Sequence, residues 1–181
     1  VGCGKNMGQN HSELCIHCKA SLAVTSYYNI PENPVSQLFW GRTNVELGFA
    51  AFHYHRGSVL QEALYSLKYY GNDNVGQYLG RLLAVEVQKV DYLNGLEALI
   101  PVPLHPEKRR KRGYNQAELI AHGFAEITEI PVLSDSVKRV KHTSSQTKKS
   151  TFRRSQNVEG IFELSEKISY QKVGIIDDVI T

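Results

Sequence analysis

An apolar run, Val173, Ile175 and Ile176, that leads directly into two adjacent carboxylates, Asp177 and Asp178, constrains the fold of this chain more than any other stretch. The run is continuous rather than alternating with polar residues, as in a parallel strand buried on both faces. Asp177 and Asp178 then sit where the strand leaves the sheet, and in open parallel α/β sheets ligands bind beyond the carboxyl ends of the strands. A cationic or hydroxyl-bearing group is expected there. The plainer alternative is an Asp-rich turn, since Asp is a common turn former.

The segments upstream supply the rest of such a sheet. Leu60, Ala63, Leu64 and Leu67 recur at helical spacing, and Gly71 is placed to end that helix in a left-handed conformation. Val75, Leu79, Leu82, Leu83 and Val87 make a second amphipathic helix with Asn74 as its expected N-cap. Ala98 to Val102 reads as a strand, followed by a loop carrying cations. A helix over 116–127 comes next, with Leu119, Ile120, Phe124 and Ile127 inward. Val137 to Val140 is a short strand, and Leu47 to His55 reads as a strand or hairpin. Strands alternating with helices predict an α/β domain over 47–181 with a mainly parallel sheet flanked by helices. Residues 26–46, with Pro31 and Pro34 and no sustained period, read as a linker with local structure.

Charge is distributed unevenly. Lys and Arg number 21 against 18 Asp and Glu, but twelve of the basic residues lie in two segments, accompanied among the acids by Glu107 alone. Lys108, Arg109, Arg110, Lys111 and Arg112 form one; Lys138, Arg139, Lys141, Lys148, Lys149, Arg153 and Arg154 form the other. The rest of the chain is net acidic, so anionic partners met at defined places are expected: phosphate, pyrophosphate or nucleic acid. A solvated charged face is the alternative for either segment alone. Lys68, near the end of its helix, is a further candidate phosphate contact.

The three cysteines all lie within the first 18 residues. Cys15 and Cys18 form a CxxC knuckle, and Cys3 precedes a glycine, as zinc-ligating cysteines commonly do. Residues 1–25 therefore read as a small zinc ribbon, incomplete at its N-terminus. A structural zinc takes four ligands, so the fourth would come from upstream of Val1, or from His11 or His17. No thioredoxin-like strand precedes the motif to support a redox role. No run approaches the roughly 18 apolar residues of a membrane span, and no signal peptide opens the chain, so the expected location is the cytoplasm. A start at Val1 and an end directly after the strand read as an internal piece of a longer protein.

Taken in order, four segments resemble the ComF family (competence protein F, or GntX-like, amidophosphoribosyltransferase-like proteins). They are the cysteine knuckle; Pro101 to His105 leading to Arg112-Gly113-Tyr114-Asn115-Gln116; Thr143 and Gln146 through Arg154 to Val158, with Gly160 and Phe162; and Val173 to Thr181. The resemblance spans essentially the whole chain. It implies a type I phosphoribosyltransferase fold behind an N-terminal zinc ribbon. Asp177 and Asp178 would take the ribose hydroxyls of phosphoribosyl pyrophosphate (PRPP) as the catalytic pair, and Thr181 would open the loop around its 5-phosphate. Pro103 and Leu104 would face the pyrophosphate, with Arg109, Arg112 and Lys68 as cationic partners and Mg²⁺ as co-ligand. Gln146 and Arg154 would belong to a mobile hood, and Cys3, Cys15 and Cys18 would hold structural zinc. The activity so implied is transfer of a pentosyl group in a protein of natural competence, with single-stranded DNA and a competence helicase as further partners. A non-catalytic single-stranded-DNA-binding accessory protein of the transformation machinery is the alternative. The phosphate loop beyond Thr181 is not in this sequence, which leaves half of the implied PRPP site outside it.

Overall fold

The computed structural model describes residues 14–27, 30–89, 93–141, 160–165 and 167–180. Its elements run α1 (Ile16–Ala20), α2 (Pro34–Gln37), α3 (Val59–Tyr69), α4 (Asp73–Val87), β1 (Ala98–Pro101), α5 (Pro106–Arg112), α6 (Gln116–Thr128), β2 (Val137–Arg139), β3 (Phe162–Leu164) and β4 (Val173–Ile176). Among the described residues, no helix is long and apolar enough to cross a membrane.

β1 is the centre of the α/β arrangement. It pairs in parallel with β4, with Ala98 opposite Val173 and Pro101 opposite Ile176. Its other edge receives residues 131–133: Leu99 N–H donates to Pro131 O and Leu133 N–H to Leu99 O, both at 2.8 Å. All four β1 residues are buried. β4 differs from the expectation of a strand covered on both faces. Ile176 is buried but Ile175 is 73% exposed, because among the described residues only one face of β4 carries a packed layer. β2 and β3 form a separate antiparallel pair.

The most extensive contact between elements is α4 on α6. Three glycines permit it. A Cβ on Gly80 would lie 2.0 Å from Ile120 O, one on Gly123 1.9 Å from Gln77 O, and one on Gly76 2.7 Å from Leu119 Cβ. The two backbones therefore meet directly, with Val75, Leu79, Ile120, Ala121 and Phe124 closing around the crossing. α3 adds Leu60, Ala63, Leu64 and Leu67 to this core at the spacing read from the sequence, and Gly71 follows its end at φ +68°.

Several local expectations change. Residues 47–55 form no strand; one antiparallel bridge joins Phe52 to Val24, flanked by Thr25 N–H to Ala51 O and His53 N–H to Ala23 O. Leu14, Cys18 and Leu22 pack in the same apolar cluster as α3. Within residues 30–46, buried Asn33 caps α2 through Val35 and Ser36 and donates to Gly48 O. α4 has Asn72 as its N-cap, two residues earlier than the Asn74 the sequence suggested. The cationic stretch after β1 is a helix and not a loop. Pro106 opens it, His105 Nδ1 accepts from Glu107 N–H, and four cations in its last turn complement the helix dipole before Gly113, at φ +91°, ends it.

Gly80→Ala or Gly123→Ala should lower stability by at least about 3 kcal/mol, since the obstructing atoms are backbone and cannot move aside. Gly57→Ala, at φ +75° with nothing within 4 Å of its Cβ, should cost only about 1–2 kcal/mol. Denaturant midpoints at unchanged slope compare them, and equal losses at Gly80 and Gly57 would contradict the close-packed crossing.

Candidate functional site

The carboxyl ends of β1 and β4 lie side by side: Val102 N–H donates to Ile176 O at 2.9 Å, so the loop starting at Pro103 and Leu104 leaves next to Asp177. This loop is pinned from α6. Asn115, 5% exposed, caps α6 by accepting from Ala117 N–H with Oδ1 while its Nδ2 donates to Val102 O at 3.0 Å. One buried amide thus fixes both a helix start and a strand end. Tyr114 adds a second tie by donating its hydroxyl to Leu67 O, at the last turn of α3. Burial pushes the Tyr114 phenol up, with nearby Arg112 opposing and Asp73 adding to the shift.

The acidic pair is asymmetric. Asp178 is inward, its side chain 9% exposed, and forms an ion pair with Lys68 Nζ from α3. Asp177 stays at the surface and accepts from Asp178 N–H at 2.8 Å. Crowding by protein strips part of its hydration, and the Asp178 charge beside it adds to the effect, pushing its pKa up to about 6; the backbone hydrogen bond and Lys68 pull it back. At neutral pH Asp177 is therefore an ionised, solvent-facing acceptor beside a carboxylate already neutralised by lysine. Such a pair can receive hydroxyl groups or share a hard cation.

The two basic segments meet, but on other lining residues. An open groove of about 670 Å³ runs between α5 and β2, bounded by Pro103 and Leu104, with Arg109 and Arg110 on one side and Lys138 and Arg139 on the other. Asp135 also lines it, while Asp177 and Asp178 do not. Arg109 is held by Glu118 of α6 at 3.0 Å. The Arg139 guanidinium lies 5.7 Å from the Phe162 ring centroid, so the β2–β3 pair orients that cation. At the α5–α6 junction, Arg112 Nη1 and Gln116 Oε1 are shielded from solvent and lack a hydrogen-bond partner among the described residues. Buried groups of this kind are normally satisfied, so both are candidates to meet a ligand.

Lys68 was expected as a phosphate contact and is found at Asp178, while Pro103, Leu104 and Arg109 line the groove and Arg112 does not. Thr181, Gln146, Arg154 and Cys3 lie outside the described residues. Cys15 and Cys18 lie on one turn; Cys15 caps α1, and Cys18 N–H points at its sulfur at 3.4 Å. Among the described residues, no three His, Cys, Asp or Glu side chains form a metal-holding group. Gln116 and the Lys68–Asp178 pair were not assigned from sequence; Lys68 and Asp178 are too far apart in the chain for spacing to reveal them.

A helix-flanked parallel β1–β4 pair with an acidic carboxyl end and a basic groove beside it places the chain among α/β proteins. No family model matches the chain, and no solved structure matches it significantly. It is 30% identical over 193 aligned positions to competence protein F of Haemophilus influenzae, covering 92% of this chain and 84% of that protein. It is 27% identical over 125 positions to DNA utilization protein YhgH of Escherichia coli, covering 67% of this chain. The protein of that name from Salmonella typhimurium is 28% identical over 121 positions. The chain spans about half the length of these two, 55% and 53%. The chain belongs to the competence protein F (ComF) family.

The raised pKa of Asp177 has a stability consequence. A carboxyl whose pKa is higher folded than unfolded holds its proton more tightly in the folded state, so the contribution of Asp177 to stability is fully present below about pH 4 and is lost as pH rises through about 6. Asp177→Asn should remove that decline, leaving the variant relatively more stable above pH 6 than at pH 4. Thermal melts of both proteins across this range measure it; parallel curves would show that the acidic pair carries no strain.

Proposed function

We propose that this chain is a DNA-handling protein of phosphoribosyltransferase type that binds PRPP, or a close phosphoribosyl relative, with Mg²⁺ at the carboxyl ends of β1 and β4. The observation that carries this reading is the acidic pair beside the β1 loop, with Asp178 clamped by Lys68 and Asp177 free to solvent. Two adjacent carboxylates suit vicinal hydroxyls, and Asp177 is ionised at neutral pH and ready to accept from them. The unpartnered Arg112 donor suits a departing or bound phosphate. Carboxylate oxygens together with ligand phosphates fit the hard-donor preference of Mg²⁺, which would neutralise phosphate charge there. Binding is the activity these groups support. Pentosyl transfer would use the same carboxylates, which favour positive charge developing on the ribose ring.

The relatives' names, competence protein F and DNA utilization protein, support a role in DNA uptake or use, exercised in the cytoplasm. The α5–β2 groove favours a second reading within that role: Arg109, Arg110, Lys138 and Arg139 form a track for the phosphate backbone of single-stranded DNA, and a competence helicase would supply the strand. At the other end of the chain, Cys15 and Cys18 fit two of the positions of a tetrahedral zinc, with their turn already closed by an amide-to-sulfur bond. Cys3 would be a third ligand.

Calorimetric titration with PRPP and Mg²⁺ tests the main reading. Wild type should bind, and Asp177→Asn with Asp178→Asn should lose at least about tenfold in affinity, or about 1.4 kcal/mol. Equal binding by both would sink the site. The groove is tested separately with Arg110→Glu plus Lys138→Glu, which should weaken single-stranded DNA binding and flatten its salt dependence while leaving the PRPP isotherm nearly unchanged.

A further inference from the structure

Three tyrosines at the carboxyl end of α3 stay in solvent. Tyr65, Tyr69 and Tyr70 are 49%, 64% and 74% exposed. Leaving such rings wet forgoes much of the hydrophobic gain they offer. They are nevertheless ordered against one another. Tyr65 lies 4.6 Å from Tyr69, tilted by 44°, and 5.6 Å from Tyr70, edge-on at 72°. The buried face of α3 is made by Leu60, Ala63, Leu64 and Leu67, so the core does not need these rings.

We infer that this tyrosine cluster is a stacking platform for the bases of single-stranded nucleic acid, an inference that rests on the phosphate-backbone reading of the α5–β2 groove. Every base has a π-face, and aromatic rings held in advance receive one without ordering cost. The carboxyl end of α3 is tied to the end of the cationic helix. The Tyr114 hydroxyl bonds Leu67 O, one residue before Lys68 in the same turn of α3, and Tyr114 follows directly on the end of α5. Lys68 directly precedes Tyr69 in the last turn of α3 and is paired with Asp178, so it neutralises that inward carboxylate instead of leaving it to repel phosphate. The rings are open to solvent and not walled in, which suits a strand passing over them better than a captured mononucleotide.

The test uses fluorescence anisotropy with labelled oligothymidylate and an abasic deoxyribose-phosphate strand of equal length. Wild type should prefer the base-bearing strand by at least about tenfold. Tyr69→Ala with Tyr70→Ala should abolish that preference while keeping the affinity and salt dependence seen with the abasic strand, and Tyr70→Leu alone should reduce it in part. Tyr69→Phe with Tyr70→Phe should retain it, because stacking needs the ring and not the hydroxyl. The platform is overturned if the alanine variant still prefers bases, if phenylalanine fails like alanine, or if thymidine monophosphate competes as well as the strand. In each of those cases charge-driven binding at the groove would survive. Absence of binding by wild type to either strand would remove the groove reading and the platform with it.

Discussion

The rest of the structure depends on the direct meeting of the α4 and α6 backbones. Gly80 and Gly123 each face a carbonyl of the opposite helix at a distance no Cβ could occupy, and Gly76 faces the Leu119 side chain. A crossing this close fixes the axis of α6, and the start of α6 is where Asn115 caps the helix and holds the end of β1. The preceding Tyr114 ties the same point to α3. Helix packing therefore reaches the site through two hydrogen bonds: one sets the loop after β1, and the other sets the turn of α3 that delivers Lys68 to Asp178.

Charge is divided over this frame. The formal net charge of +3 averages an acidic strand end against a cationic groove. At the strand end, Lys68 offsets Asp178 and leaves Asp177 as the outward carboxylate. In the groove, Glu118 and the Phe162 ring orient Arg109 and Arg139, and Arg110 and Lys138 add further positive charge to its lining. A phosphoribosyl ligand and a phosphate backbone both carry negative charge; in the proposed function, hydroxyl recognition would fall to the first place and backbone recognition to the second. Pro103 and Leu104 connect them, since they follow β1 and also bound the groove.

Much of this was legible in the sequence, for identifiable reasons. The periodicity of Leu60, Ala63, Leu64 and Leu67 placed α3, and the continuous apolar runs placed β1 and β4. A run of cations has no apolar period, so α5 read as a loop, although Pro106 and Gly113 were signals for its two ends. The four-residue spacing of Gly76 and Gly80 within an amphipathic stretch was the available sign of a close helix crossing, which the apolar pattern around it obscured. Ile175 read as buried because period says nothing about whether a second layer covers a strand. The Lys68–Asp178 pair and the meeting of Arg109 with Arg139 join residues distant in the chain. Only the fold reveals such neighbours.

Hydrogen exchange with and without PRPP and Mg²⁺ tests most directly whether the joined ends of β1 and β4 are the ligand site. Slowed exchange is expected in peptides covering 102–105 and 173–180 and in the last turn of α3, with residues 134–140 little changed. Protection confined to α5 and residues 134–140, or none at the strand ends under saturating ligand, would contradict the account.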